Sequence, residues 1–272
     1  MVDPAGGEGT RTWEEARQAI RAGRGIVILT GAGVSAESGI STFRDPRDGL
    51  WARFRPEELA TPEAFRRDPR TVWEWYDLRR RGVLGCEPNP GHRAIARFLL
   101  ERDDTVVVTQ NVDGLHQRAL EDEVEAWGQG ADEALARAAA RILPLHGEIL
   151  RVRCSRCDYN AAHREPVNSD SKETLPRCPQ CGELLRPAVV WFGEMLEERV
   201  LERSIEAAAS ARVCVVAGTS ALVHPAASVP QFTLRSGGSL VEVNPEETPL
   251  SARARWRFRV GAATALPRLL DP

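Results

Sequence analysis

Four of the six cysteines form two knuckles, Cys154-x-x-Cys157 and Cys178-x-x-Cys181, separated by twenty residues. Two such knuckles can present four thiolates to one tetrahedral ion, the donor set that structural zinc prefers. Four protein sulfurs close the shell, so this metal would shape the chain rather than catalyse. Two disulfides are the alternative, disfavoured in a reducing compartment. Arg153, Arg156 and Arg177 stand close in sequence and are expected to favour thiolates. Cys214 lies in the apolar run Val213-Cys-Val-Val216 and reads as a buried thiol, while Cys86 carries no assignment. A second set of residues is small and polar: Gly31-Ala-Gly-Val-Ser35, Gln110-Asn-Val-Asp113, Gly218-Thr-Ser220, Asn244-Pro-Glu246 and Gly261-Ala262. The first matches the start of a dinucleotide fingerprint, with Ala36 at its third small position. Glycines there let backbone amides approach a pyrophosphate. The acidic residue that would hold a ribose about 20 residues on is missing. That region reads Thr42-Phe-Arg-Asp-Pro-Arg-Asp48, in which Arg44 suits a phosphate. A dinucleotide is therefore expected to bind without acting as a hydride carrier.

The polar segments follow apolar, β-branched runs at 25–30, 105–109, 212–217, 239–243 and 256–260. Runs that do not alternate are expected of parallel strands covered on both faces. Helical patterns at 13–22, 91–102 and 196–211 lie between or before them. The expected fold is α/β, a doubly wound, Rossmann-like parallel sheet whose ligands bind beyond the carboxyl ends of the strands. Residues 45–90, helical in pattern, and 150–187, holding the cysteines, break the alternation and are expected to form a smaller lobe. The 272 residues carry 42% hydrophobic and 28% charged side chains and a net charge of −3, which gives no basic excess for nucleic acid or a membrane surface. No run approaches the ~20 apolar residues of a membrane span. The small, acidic first ten residues lack a signal pattern, so a cytoplasmic location is expected.

In chain order, Gly31-Ala-Gly-Val-Ser-Ala-Glu-Ser-Gly39 with Thr42-Phe-Arg44, then Thr109-Gln-Asn-Val-Asp-Gly-Leu-His116, Leu145-His-Gly147, Val189-Val-Trp-Phe-Gly-Glu194 and Gly218-Thr-Ser220 resemble the signature segments of the sirtuins. The resemblance runs from about residue 25 to the C-terminus and is strongest to the bacterial and mitochondrial-type branch. It implies an NAD-dependent protein-lysine deacylase that transfers the acyl group to ADP-ribose and releases nicotinamide. Its catalytic domain would span 12–272, with a nucleotide lobe at 12–44, 91–149 and 188–272 and residues 1–11 disordered. By resemblance, His146 is the general base and Asn111, with Gln110, orders the ribose and a water. Gly31, Ala32, Gly33, Ala36, Glu37, Thr42, Phe43, Arg44, Val112, Asp113, Gly218, Thr219, Ser220, Asn244, Pro245, Glu246 and Ala262 complete the NAD site. One structural zinc sits on the four cysteines. The acyl-lysine protein substrate lies as an extended strand against Val190, Trp191, Phe192 and Gly193, facing the 221–224 loop. Nothing in the sequence assigns an oligomeric state.

The acyl group is a further expectation. Tyr76 and Arg79 sit three apart on one helical pattern, 72–81, and so share a face. In Trp75-Tyr-Asp-Leu-Arg79 they look like the pair that binds the distal carboxylate in the desuccinylating sirtuins, and Ala60 looks like the small residue that widens that pocket. Mono-ADP-ribosyl transfer from the same NAD site is the alternative reaction. Twenty-nine residues separate His116 from His146, more than the resemblance leads one to expect. The excess, about 121–142, reads as an acidic, glycine-containing loop and an Ala-rich helix at 132–141, dispensable if it is a surface excursion. Ser41 and Ala119-Leu120 replace the family's usual Pro and Ala-Gly. His92 and His116 are expected to be structural, His163 to lie on the surface, and His224 to line the peptide loop.

Overall fold

The structure, a computed structural model, describes residues 8–40, 56–125 and 130–271. Ser41, Thr42, Phe43 and Arg44 lie outside the described residues, so their expected roles rest on sequence alone.

The chain opens with α1 (Glu8–Ala22), β1 (Ile26–Thr30) and the short α2 (Ala32–Ala36), and continues through α3 (Pro56–Leu59), α4 (Pro62–Arg67), α5 (Pro69–Leu84) and α6 (Pro90–Glu101). It then forms β2 (Thr105–Thr109), α7 (Leu115–Val124), α8 (Ala131–Ala139), β3 (Ile142–Pro144), β4 (Gly147–Cys154), β5 (Asn160–Ala162) and β6 (Leu185–Val189). It ends with α9 (Glu198–Ser210), β7 (Val213–Ala217), α10 (Val229–Arg235), β8 (Ser239–Val243), β9 (Trp256–Phe258) and α11 (Ala262–Leu270). Helix α1 thus begins at Glu8, and residues 8–11, expected to be disordered, continue it.

The main sheet has the order β3-β2-β1-β7-β8-β9 with every pairing parallel. Strands β1 and β7 are buried along their whole length. Alternate residues serve opposite cores. Ile26, Ile28, Val213 and Val215 pack with α1, α6, α7 and α11. Val27, Leu29, Cys214 and Val216 pack with α9 and α10. Burial pushes the Cys214 thiol up to about 12, so it is an inert core group. The chain leaves β1 toward β2 and later returns to β1's other edge with β7, which opens a crevice at the strands' carboxyl ends.

The smaller lobe has its own core. Strands β5-β4-β6 form an antiparallel sheet whose Ile149, Val152 and Leu185 pack on Leu59, Phe65, Trp73 and Tyr76 of the α3–α5 helices. Its sheet starts at Gly147, three residues before the expected zinc segment. Local chemistry sets the helix starts: Thr61 and Asp68 accept from the Ala64 and Thr71 amides, and Pro62 and Pro69 fill the first helical positions. Asn89 caps α6 by accepting from the amides of Gly91 and His92, and the His92 imidazole reaches back to the Asn89 amide.

The expectation for 121–142 is corrected on three points. Residues 121–124 finish α7, and Ile142 begins β3, a sixth strand paired with β2. Between them Ala138 of α8 is fully buried in the main core with Leu135 packed beside it, so the helix is part of the fold rather than a surface excursion. The apolar run 256–260 is also shorter as a strand, ending at Phe258.

Candidate active site

A cleft of about 2140 Å³ opens where β1, β2, β7 and β8 end. Its floor is two backbone loops in contact. A Cβ on Gly33 would lie 2.8 Å from Gly218 Cα, and one on Gly31 2.7 Å from Thr219 Cβ. Gly218 also takes φ +59°, which favours glycine. The amides of Gly31 and Gly33 donate to Ala217 and Gly218 carbonyls, so these glycines serve the loop crossing rather than offering their own N–H groups to a ligand. The crossing leaves a cradle free of side chains with Ala32, Ala36, Ser220 and Ala262 on its walls, which fits an elongated dinucleotide.

Polar residues from the other strand ends lock the cradle. Gln110 donates to Thr219 Oγ1 at 2.9 Å, and Asn244 donates to the Thr219 carbonyl at 2.8 Å. Asn244 Oδ1 in turn accepts from the Glu246 amide, which places Pro245 and Glu246 on the rim. Glu37, expected at the cofactor, also lines the cleft, but its carboxylate accepts from the Ala263 amide at 2.7 Å and caps α11.

Beneath the floor lies a hub that the sequence patterns did not single out, Ser35. Its hydroxyl takes the Asn111 amide at 3.0 Å and lies 3.3 Å from His92 Nε2. The only sequence sign is its place at the end of the glycine loop. His92 packs against His116 with ring centroids 4.8 Å apart and planes tilted by 54°, and His116 contacts Thr30 Oγ1 at 2.9 Å. Burial lowers both imidazoles, His116 to about 4, so they stay neutral supports. Asp113 caps α7 through the Leu115 amide. Burial holds its carboxyl above the ordinary range despite hydrogen bonds from Leu115 and Ser35 and the charge of Arg79.

His146 stands beyond Val112, where the cradle meets the small lobe. Its Nδ1 lies 3.0 Å from the Gln110 carbonyl. A carbonyl only accepts, so Nδ1 carries the hydrogen and Nε2 keeps a lone pair for the cleft. Burial lowers the imidazole from its usual range, against a smaller opposing effect of the Gln110 hydrogen bond.

The third wall is apolar. Ala60, Tyr76, Arg79, Val190, Trp191, Phe192 and Gly193 line it. Val190 donates to the His146 carbonyl and Phe192 to the Ala60 carbonyl, both at 2.9 Å, so one loop ties the histidine to the helical subdomain. Phe192, Met195, Leu222 and Val223 are large apolar side chains left exposed at the mouth, where His224 also sits.

Away from the cleft, the four cysteine sulfurs lie within 4.8 Å of one another. Cys154 and Cys181 are 3.4 Å apart and Cys157 and Cys178 3.6 Å. Zinc–thiolate bonds of about 2.3 Å in a tetrahedron need sulfurs about this far apart, so the donor set fits zinc. Arg156 reaches Cys154 Sγ through its backbone N–H, while its guanidinium pairs with Glu183, and Arg177 donates to the Gly182 carbonyl. His163 is half-buried, its ring and carbonyl both taking Arg80.

Comparison with known proteins agrees with this geometry. The Sir2 family pattern matches residues 31–225. An NAD-dependent protein deacylase of Aquifex aeolicus (strain VF5) is 45% identical over 246 residues, which covers 90% of this chain and 94% of that one. A Sir2 homologue solved as an NAD complex superposes with a TM-score of 0.81 at 43% identity, covering 94% of this chain and 92% of its own. A Sir2 protein solved with a deacetylated p53 peptide and 3′-O-acetyl ADP ribose gives a TM-score of 0.74 at 31% identity, covering 95% and 97%. A family pattern that spans most of the chain and relatives this similar over nearly their whole length place the chain in the Sir2 family.

Proposed function

We infer that the protein is an NAD-dependent protein-lysine deacylase that takes NAD along the cradle and an acyl-lysine through the apolar wall. The observation that carries this reading is His146, whose free Nε2 lies at the junction of the two. An apolar wall beside the histidine favours an acyl-lysine over mono-ADP-ribosyl transfer. NAD supplies, when bound, a ribose that accepts the acyl group and a nicotinamide that leaves. His146 Nε2 removes a proton from a ribose hydroxyl, and the Gln110 carbonyl stabilises the resulting imidazolium through Nδ1–H. Asn111, Gln110 and Asp113 hold the ribose end; Thr219, Ser220, Asn244 and Glu246 line the adenosine side. Thr42, Phe43 and Arg44 are assigned to the nicotinamide and phosphate on resemblance alone. The exposed Phe192, Leu222 and Val223 favour a substrate backbone lying between their two loops. Zinc on Cys154, Cys157, Cys178 and Cys181 holds the small lobe, which we delimit at about 45–90 and 150–187. The thiolate cluster favours a reducing, cytoplasmic setting. Among the described residues no helix is long and apolar enough to cross a membrane. Nicotinamide release that depends on an acyl-lysine peptide tests the reading; release at the same rate without peptide overturns it.

The pH profile follows from His146. The base must be neutral, and burial puts its pKa below the usual 6.5. Activity is therefore retained as pH falls to 6.5 and is lost below it, with the acid limb of kcat/KM under 6.5. An acid limb at or above that value in a peptide assay contradicts the assignment.

The acyl preference extends to succinyl and malonyl groups. Arg79 stacks its guanidinium over Trp75 at 4.7 Å and Tyr76 at 5.5 Å. Burial lowers its pKa, yet a guanidinium remains charged in proteins. A cation kept at an apolar wall favours an acyl group ending in a carboxylate. Arg79→Met is expected to depress desuccinylation over deacetylation by about 1.5–3 kcal/mol, the worth of a charged hydrogen bond. Paired kcat/KM values on succinyl and acetyl peptides measure this, and equal losses make Arg79 structural.

A further inference from the structure

The wall of the acyl pocket is braced by a partly buried ion pair. Arg186 of β6 is 6% exposed and donates to both oxygens of Glu194, at 2.6 and 2.8 Å, and to the Val189 carbonyl at 2.8 Å. Its guanidinium lies 3.4 Å from the centroid of the Trp191 ring. Glu194 Oε2 also accepts from the Trp191 amide at 2.9 Å. The amide of Glu194 closes the turn onto the Trp191 carbonyl, with Gly193 at φ +84° supplying the left-handed position. Trp191 is thus gripped by its face and its backbone together.

The grip has a chemical result. Trp191 Nε1 lies 2.9 Å from Tyr76 Oη. An indole nitrogen only donates, so the Tyr76 oxygen is an acceptor there and its own hydrogen must go elsewhere. Among the described residues no acceptor takes that hydrogen, and Tyr76 lines the cleft. Burial raises the phenol's pKa against the opposing effects of Arg79 and Trp191, so the hydrogen stays on.

We propose that the Arg186–Glu194 pair, through Trp191, makes Tyr76 an obligate hydrogen-bond donor into the acyl pocket and so sets the enzyme's preference for acyl groups with a distal acceptor. Arg186 and Glu194 are positioning residues; they act through Trp191. The proposal rests on the acyl reading given above. On this arrangement Tyr76 is unsuited to an acyl group that itself donates, because two hydrogens would oppose each other.

The test compares succinyl- and acetyl-lysine forms of one peptide. Trp191→Phe removes the N–H and keeps a ring. It is expected to lower the succinyl-to-acetyl ratio of kcat/KM by about two- to tenfold, the range of a neutral hydrogen bond. In a Tyr76→Phe background the same change is expected to leave the ratio where Tyr76→Phe alone puts it, since the residues act as a unit. Arg186→Lys, which keeps the charge but loses the planar face, should move the ratio in the same direction. A general loss of folding would lower both substrates and leave the ratio alone. If Arg79→Met is selective but Trp191→Phe moves the ratio equally in both backgrounds, or in neither, the relay is overturned and the acyl reading stands. If Arg79→Met affects both substrates equally, the acyl reading falls and the relay with it.

Discussion

His146→Ala is expected to lower kcat for deacylation by about 10²- to 10⁴-fold, the usual worth of a positioned general base. The fold should survive. Among the described residues the side chain makes one hydrogen bond, to the Gln110 carbonyl, whose net stabilisation is about 0.5–1.5 kcal/mol. The cradle does not depend on it, because Gln110 reaches Thr219 through its own side chain. Binding of ADP-ribose by calorimetry should change little, and zinc content should be unaltered. Turnover near that of the parent protein, in a variant with an unchanged thermal melt, would remove His146 from the mechanism.

Loss of zinc is expected to separate the two halves of the site. Structural zinc in small modules contributes apparent binding energies of about 10–16 kcal/mol near neutral pH. Chelation or Cys154→Ser should therefore unfold the β5-β4-β6 sheet rather than loosen it. Helix α5 goes with that sheet. Trp73 Nε1 donates to the Leu185 carbonyl at 2.9 Å, Arg80 donates to the carbonyls of His163 and Glu165, and Asp77 accepts the Val167 amide. The same helix carries Tyr76, which packs in the core shared with that sheet, and Arg79. The acyl wall should collapse while the cradle, built on β1, β2, β7 and β8, keeps its hydrogen bonds. The expected result is loss of deacylation with ADP-ribose binding retained within a fewfold, measured by calorimetry on protein whose metal content is known. Full activity in verified zinc-free protein, or equal loss of both functions, would break this division.

Much of this site is legible in the amino-acid sequence alone. The strand runs, the glycine loop and the cysteine knuckles are local patterns whose chemistry follows from residue type and spacing. Burial on both faces needs apolar residues at every position of a strand, and a four-thiolate site needs two close pairs. Helix starts at Pro62, Pro69 and Pro90 likewise carry their caps one residue ahead.

Other features depend on which distant atoms meet. Strand β3 has three residues and no pattern of its own; it is a strand because Val107, Val108 and Thr109 of β2 offer it an edge. That pairing delivers the catalytic histidine. Thr109 faces Pro144, the Leu145 amide binds the Thr109 carbonyl, and His146 arrives beside the carbonyl of Gln110. Its tautomer is thus decided by sheet register, not by its neighbours in sequence. Ser35 becomes a hub only when α2 meets α6 and the end of β2. Arg186 sits behind Trp191 only because the turn at Gly193 folds Glu194 back onto it. Residue types along the chain name the chemistry that is available. Which lone pair is left free is settled where carbonyls and side chains far apart in sequence compete for the same hydrogens.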